Sequence, residues 1–515
     1  MRPANVFLLS IILALTVKAQ QPLSFRLYSL SIESASPYSN VINDLVVSGD
    51  TLWAGTNKGL DMTTGNGSNW RHFTESDGIK ENGVTAIAIR NGVAWVAQSA
   101  SQQVIGESLP AGAGLHYSTD GGESWTFITQ SREPLGATVD TLLYGENKIP
   151  ALAITTEINN LTYDLALTSG TVWTANFAGM LRKSTDNGAT WSRVILPPDE
   201  LNSISPTDSL SFDLSPTSGN LGLTESFNHR VFSVFASSDL VIWVGTSGGI
   251  NKSTDGGVSW RKFSHQNQSQ PISGNFVVAI NEQQWNNKQI LWAATVNALD
   301  QDEQRGVSFS EDGGETWKTA LLGEFAHNIA FKDSIVYIAT DNGLFRSSDT
   351  GASWIRSGTM YDPMNLQRIT SPIVYTLAVL GEAVWIGGVD GIAYSLDTPA
   401  QPFGSLWKVF RTAQPLGNSS TTYSYPSPFS PDDEAVRIHY STLGKNAPVT
   451  IRIFNYAMQS VKTLIQQAQR SGAQEHDEIW NGRDDDNTRI SNGVYFYTVE
   501  VEGLEPVWGK IYVVE

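Results

Sequence analysis

Cysteine is absent from the 515 residues, which removes disulfides, thiol chemistry and any Cys-ligated metal site. Positive charge is scarce: 33 Lys and Arg stand against 51 Asp and Glu, a formal net charge of −18. No nucleic-acid partner is expected from that balance, because phosphates need cations. An acidic surface keeps an exported protein soluble and attracts cations. Long apolar runs are missing too. Residues 6–17 (VFLLSIILALTV) are too few for a comfortable membrane span, and nothing later approaches 18 apolar residues, so no membrane span is expected. With Arg2 ahead of it and Val17-Lys18-Ala19 behind, that run reads as a signal peptide over 1–19. It predicts a mature protein outside the cytoplasm. The seven histidines (72, 116, 229, 265, 327, 439 and 476) are scattered with no H-x-H or HExxH spacing, so they predict no metal site.

Glycine (45) and tryptophan (16) are plentiful while charged residues make up only 16%, a composition that points to a β-rich chain with many turns. One phrase recurs. YSTDGGESW carries Asp120 and Trp125; KSTDNGATW carries Asp186 and Trp191; KSTDGGVSW carries Asp255 and Trp260. FSEDGGETW carries Asp312 and Trp317, and RSSDTGASW carries Asp349 and Trp354. A worn copy, MTTGNGSNW, ends at Trp70 with Gly65 in place of the Asp. The pattern S-x-D-x-G-x-[ST]-W suits a tight hairpin: the carboxylate accepts N–H groups across the turn, the Gly takes φ > 0, and the Trp supplies an apolar plate. These aspartates are expected to shape turns rather than to bind ligands. The phrase resembles the Asp-box, or BNR repeat, of sialidase-type β-propellers.

Ahead of each turn lies a second pattern, an apolar strand, a short turn and a strand of the type V-W-x-G/A. Its copies are 43–56, 85–98, 163–176, 232–246, 276–295, 327–340 and 375–388. Each alternates with period two. A four-stranded antiparallel unit repeated seven times predicts an all-β, seven-bladed β-propeller over 20–411. The seventh unit (390–410) keeps the strands without the box, and FRLYSLS (25–31) reads either as an edge strand near the closure or as a plain leader. The innermost column, Val46, Ala88, Ala166, Phe235, Ala279, Ala330 and Ala378, is mostly small, as converging sheets require.

Alternating strand direction puts the box turns on one face and the longer insertions mostly on the other: 98–113, 129–160, 195–230, 264–275, 297–306 and 358–372. Only 281–289 falls on the box side. The loop-rich face is therefore the expected binding face. There the innermost strands begin at Asn43, Thr85, Tyr163, Phe232, Phe276, His327 and Tyr375. Such a ring either stacks on a sugar or peptide, or fills the funnel between sheets.

After Arg411 the repeat stops. A linker (412–422) leads to 423–515, whose alternating runs VTIRIF and VYFYTVEV predict a small β-sandwich. Tyr425-Pro426-Ser427-Pro428-Phe429, Phe454-Asn455-Tyr456, Trp480-Asn481-Gly482, Gly493-Val494-Tyr495 and Lys510-Ile511 resemble the FlgD-like Ig domain. They resemble equally the type A sorting domain of type IX secretion cargo. That resemblance implies a secretion-machinery partner and a protein secreted from, or attached to the outer surface of, a Gram-negative-type bacterium, with a plain Ig-like module as the alternative; Ser427 and Glu515 depart from the sorting pattern.

Enzyme chemistry finds little footing. There is no Arg-Ile-Pro of the sialidase kind near Arg26, Arg71 or Arg90, and no G-x-S-x-G, P-loop or dinucleotide fingerprint. Xyloglucanase-type propellers set an acid and a base Asp across a cleft between two propellers, and this chain has one; Asp44 and Asp164 hold equivalent inner-strand positions, so a carboxylate pair facing the channel stands beside structural aspartates as a reading. Asp484-Asp485-Asp486 reads as a solvated turn or a Ca²⁺ site; no other cofactor is expected. The phrase V-W-x-G-T…G-G-I also resembles sensor propellers of two-component regulators. A monomeric, non-enzymatic binder of protein or glycan is the expectation, with a polysaccharide-active enzyme as the alternative.

Overall fold

The computed structural model describes residues 32–34, 36–217, 221–412, 416, 422–431, 435–473 and 475–514. The expected signal peptide, the segment 25–31 and most of the linker lie outside them. The described residues form antiparallel strands, with two short 3₁₀ turns at Glu75–Asp77 and Phe227–His229 and no α-helix. None of their helices is long and apolar enough to cross a membrane.

Strands Ile42–Ser48, Gly83–Arg90, Thr162–Leu167, Val231–Ala236, Phe276–Trp285, Ala326–Lys332 and Val374–Leu380 each begin an antiparallel sheet. Each packs against the next in chain order, and the last packs against the first. The sheets therefore close around one axis as a β-propeller. Every one of these inner strands carries a β-bulge near its start, for example between Ile42 and Asp44 and between Thr162 and Asp164. The extra residue lines the axial channel in six of the seven, Phe232 being the exception, a common device at a rim. In the fifth sheet the bulge lies between Val277 and Ala279, and Trp292 pairs with Asn281. Val278, not Phe276, is thus the counterpart of Asn43 and Tyr163, and Asn281, not Ala279, stands in the small-residue column. The expected 281–289 insertion is a hairpin lengthened on both strands up to Asn286 and Asn287. That lengthening shifted the apparent register by two.

Between neighbouring sheets the packing repeats. The Trp of three box turns stands edge-on to the second-strand aromatic of the sheet before: Trp125 on Trp53, Trp191 on Trp95 and Trp354 on Trp292, with centroids 6.2, 6.4 and 6.4 Å apart. Trp70 meets Trp385 in the same way at 6.2 Å, joining first sheet to last. The turn glycine rests on that same ring. A Cβ at Gly257 would lie 2.4 Å from Trp173, and one at Gly67 would lie 2.7 Å from Trp385. Both glycines also have positive φ (82° and 71°), so no side chain fits without strain.

The insertions 129–160 and 195–230 depart from expectation. Glu157 and Asn159 stay bonded to Gly112 and Pro110 on the loop-rich face, but the middle of each insertion folds down the flank of the third and fourth sheets. Within them Val139–Tyr144 and Asn147–Leu152 form a hairpin, and Ser203–Ile204 adds a fifth strand to the outer edge at Trp260–Arg261. The Tyr144 hydroxyl donates to the Val258 carbonyl, inside a box turn, at 2.8 Å. Leu142, Tyr144, Ile149, Ile204 and Leu214 share one core with Trp173 and Trp260, and burying them is what pulls the segments off the rim. Ile32–Ser34 likewise adds an edge strand to Trp70–His72.

Residues beyond 422 form a three-stranded sheet (Thr422–Tyr425, Val436–Tyr440, His476–Trp480) and a four-stranded sheet (Ser460–Arg470, Ala447–Phe454, Gly493–Val501, Val507–Val513). Both contribute to one core around Trp480, Tyr440, Tyr497 and Phe429. This unit touches the ring at the small hairpin Tyr361–Asp362/Gln367–Arg368: the Ala435 N–H donates to the Leu366 carbonyl at 3.2 Å and Arg437 to the Asn365 carbonyl at 3.0 Å.

Candidate functional site

The inner strands enclose an axial channel of about 620 Å³. Its wall is polar because each junction between inner strands is pegged by a side chain. Asn43 donates to the Val84 carbonyl (2.8 Å), Thr85 to the Thr162 carbonyl (2.6 Å) and Asn281 to the Ile329 carbonyl (3.0 Å). Asn328 reaches the Thr376 hydroxyl (3.2 Å), which accepts the Leu45 N–H (3.0 Å). Asp44 and Asp164 belong to this set. Asp44 accepts the Ile87 N–H at 2.8 Å; Asp164 accepts the Leu165 and Val234 N–H groups at 2.8 and 2.9 Å.

Both carboxyls lie deep in the body of the protein while partly open to the channel. Burial pushes Asp44 up to about 6 against the pull of its N–H donors. Burial, with a contribution from the charge of Asp44, pushes Asp164 up to about 7. Each holds two strands together, and each is a weak acid near neutrality.

At the loop-rich end, Tyr163, His327 and Tyr375 line the channel together with Asn43, Asp44 and Asp164. Phe232 and Phe276 stand behind Tyr163, with centroid separations of 5.3 Å (Tyr163–Phe232) and 4.4 Å (Phe232–Phe276). The sequence-predicted residues are thus brought to one rim but in two groups rather than an even ring. Tyr163, Phe232, Phe276 and Phe177 form one; Phe325, His327 and Tyr375 form the other. Phe177 and Phe325 were not among the expected residues; an aromatic beside a turn on this face was the available signal. Tyr163 is 40% exposed and Phe232, Phe276 and Tyr375 are half-buried, so the rim offers aromatic surface while the rings also pack on each other. His327 is held by Asp341 at 2.7 Å.

The box aspartates sit at the other end and are fully engaged in their own turns. Asp120 accepts the Ser118 and Ser124 hydroxyls (2.7 and 2.6 Å) and the Ser124 N–H (3.0 Å). Asp186, Asp255, Asp312 and Asp349 repeat the arrangement. The Ser124 hydroxyl and then Ser118 hold the Asp120 carboxyl down to about 2; Ser353 does the same for Asp349. In the C-terminal unit Asp484 accepts the Thr488 N–H at 2.7 Å and Asp485 pairs with Lys462 at 3.5 Å. Among the described residues no three His, Asp or Glu side chains converge as a metal site would need.

A closed ring of antiparallel sheets around a channel places this chain among the β-propellers. No protein-family profile matches it, and no curated protein sequence does. Among solved structures it is similar to YCF48 from Cyanidioschyzon merolae, at 17% identity and a TM-score of 0.41, covering 71% of this chain and 98% of that one. It is also similar to PorZ, a surface component of the type IX secretion system of Porphyromonas gingivalis, at 12% identity and a TM-score of 0.23, covering 94% and 100%. The extracellular domain of the hybrid two-component system BT3049 from B. thetaiotaomicron gives 12% identity and a TM-score of 0.27, covering 90% and 77%.

Proposed function

We propose that this chain is an exported, non-enzymatic, seven-bladed Asp-box propeller that binds a protein or glycan at its loop-rich channel mouth. In this reading residues 20–411 form the propeller, and an Ig-like sandwich over 423–515 serves secretion or surface attachment. The reading is carried by the aromatic group in which exposed Tyr163 stands on half-buried Phe232, Phe276 and Phe177 beside a polar channel. Flat apolar rings next to hydrogen-bonding groups suit sugars and peptide side chains alike. The test is binding of the full chain to a glycan array and a linear-peptide array. Tyr163→Ala should lower the signal roughly tenfold, and binding that ignores Tyr163→Ala and Phe232→Ala would sink the mouth as the site.

One observation favours a second reading. Asp44 and Asp164 share the channel, and burial pushes both carboxyls up, to about 6 and about 7, the range that suits a general acid. Against it, each carboxylate is occupied by backbone N–H groups of the neighbouring strand. Reducing-sugar release by the full chain that disappears in Asp44→Asn or Asp164→Asn would make it an enzyme.

A further inference from the structure

The hairpin that rises beside the mouth has no role in the reading above. Strands Val93–Val104 and Glu107–Ser118 pair from Ala94↔Ser118 to Val104↔Glu107 and turn at Ile105 and Gly106, both at positive φ. Such a two-residue turn makes Val104 and Glu107 a mutually hydrogen-bonded pair. Strand alternation then gives the same role to Gln102 with Leu109 and to Ala100 with Ala111. The backbone N–H and C=O of Ser101 and Gln103 therefore point away from the partner strand.

The two edges of this ribbon are treated differently. On the outer edge the Asn159 N–H donates to the Pro110 carbonyl and the Gly112 N–H to the Glu157 carbonyl, each at 2.9 Å. Pro110 and Glu107 stand along the rest, the usual guards against strand addition. On the inner edge the innermost strand pairs only as far as Gly83↔Ser99. Beyond that, no described residue bonds to the main chain of Ser101 or Gln103, and 100–104 (ASQQV) holds neither charge nor proline. Because a blade's second strand has the innermost strand on its axial side, the bare edge lies on the side of the channel mouth.

We infer that this edge takes up an extended peptide segment of a partner protein by strand addition, its side chains reaching the mouth aromatics; the inference rests on the mouth being the binding site. Four main-chain groups at strand spacing are met by another main chain, not by the hydroxyls of a sugar. A second copy would have to bring −18 against −18.

Random linear peptides of about ten residues, long enough for one strand, selected on phage against the full chain, provide the probe. Selected peptides should bind Ser101→Ala and Gln103→Ala as they bind the parent, but lose about tenfold or more against Ser101→Pro and Gln103→Pro. Proline removes an outward N–H and leaves the ribbon's internal bonds intact. Hydrogen exchange should show the Ser101 and Gln103 amides slowing when peptide is added, a readout that needs no substitution. Peptides that tolerate both prolines yet fail on Tyr163→Ala would overturn the edge and keep the mouth. Glycan binding with no selected peptide would overturn the peptide ligand while keeping the mouth. A dimer that Gln103→Pro dissociates would assign the edge to a second copy instead.

Discussion

The intact box turns and the worn one at Trp70 differ in a way that separates two jobs. At Ser253–Trp260 the Asp255 carboxylate gathers Ser253, Ser259 and the Ser259 N–H within the turn, and Gly257 lies on Trp173 of the sheet before. The worn turn has lost the first device: Gly65 stands at φ 64°, and Thr63 donates instead to the Asn69 carbonyl at 2.6 Å. It keeps the second. Gly67 lies on Trp385, and the Trp70 indole donates to the Gly67 carbonyl at 3.0 Å, as Trp317 does to Gly314. The Asp braces its own hairpin, whereas the Gly and Trp join one sheet to the next. Only the second job is kept where the ring must close.

The largest test of this division is Trp70→Ala. It empties a fully buried site between first and last sheets and should cost about 4 kcal/mol in chemical denaturation. A loss similar to that of a surface change would mean that the closing contact does not hold the ring. Gly257→Ala should follow at about 3 kcal/mol, combining backbone strain with a clash against Trp173; a neutral result would show that the turn can lift off the ring. Asp255→Ala should cost only about 1 kcal/mol, because it loosens one hairpin and leaves the neighbours touching. If it matched Trp70→Ala, the two jobs would not be separable.

Acid gives the smallest and most selective probe. The intact turn carboxyls are depressed to about 2 at Asp120 and Asp349. Their contribution is therefore present above the ordinary Asp value of 3.8 and is lost as pH falls towards 2. Asp44 and Asp164 run the other way: raised carboxyls favour the folded state below that value, and their contribution fades as pH rises through about 6 and 7. Thermal melts should show that second slope flattened in Asp44→Asn/Asp164→Asn, and an unchanged slope would remove both carboxyls from the account.

Much of the ring was legible because its signals are local and repeated. An alternating strand, a Trp in the second strand and a Gly-Trp turn recur with little variation, so each copy corroborates the others. The failures come where a copy carries extra length. The added residues around Glu282–Trp285 displaced the reading of the fifth inner strand by two. Leu142, Tyr144 and Ile149 lie in an insertion that looks like a loop until its apolar residues find Trp173 and Trp260. The ribbon turn was hidden because Ile105 gives no sign of accepting positive φ; only Gly106 does. At the mouth, residue types showed which side chains would gather but not that Phe232 and Phe276 would pack, tilted, behind Tyr163, which depends on how three consecutive sheets meet.

The edge-on tryptophans also suit assembly in chain order. Each sheet leans on the one made before it, so a chain emerging N-terminus first can add sheets one at a time against a finished neighbour. Trp70 is the exception, waiting through more than three hundred residues for Trp385 and for Thr412, whose carbonyl and N–H meet Asn40 at 2.9 and 2.7 Å. Until that seam is sewn, the first sheet bares an indole and the last has nothing to lean against it, which makes the two ends of the ring the place where a half-made molecule is most open to proteases and to its neighbours.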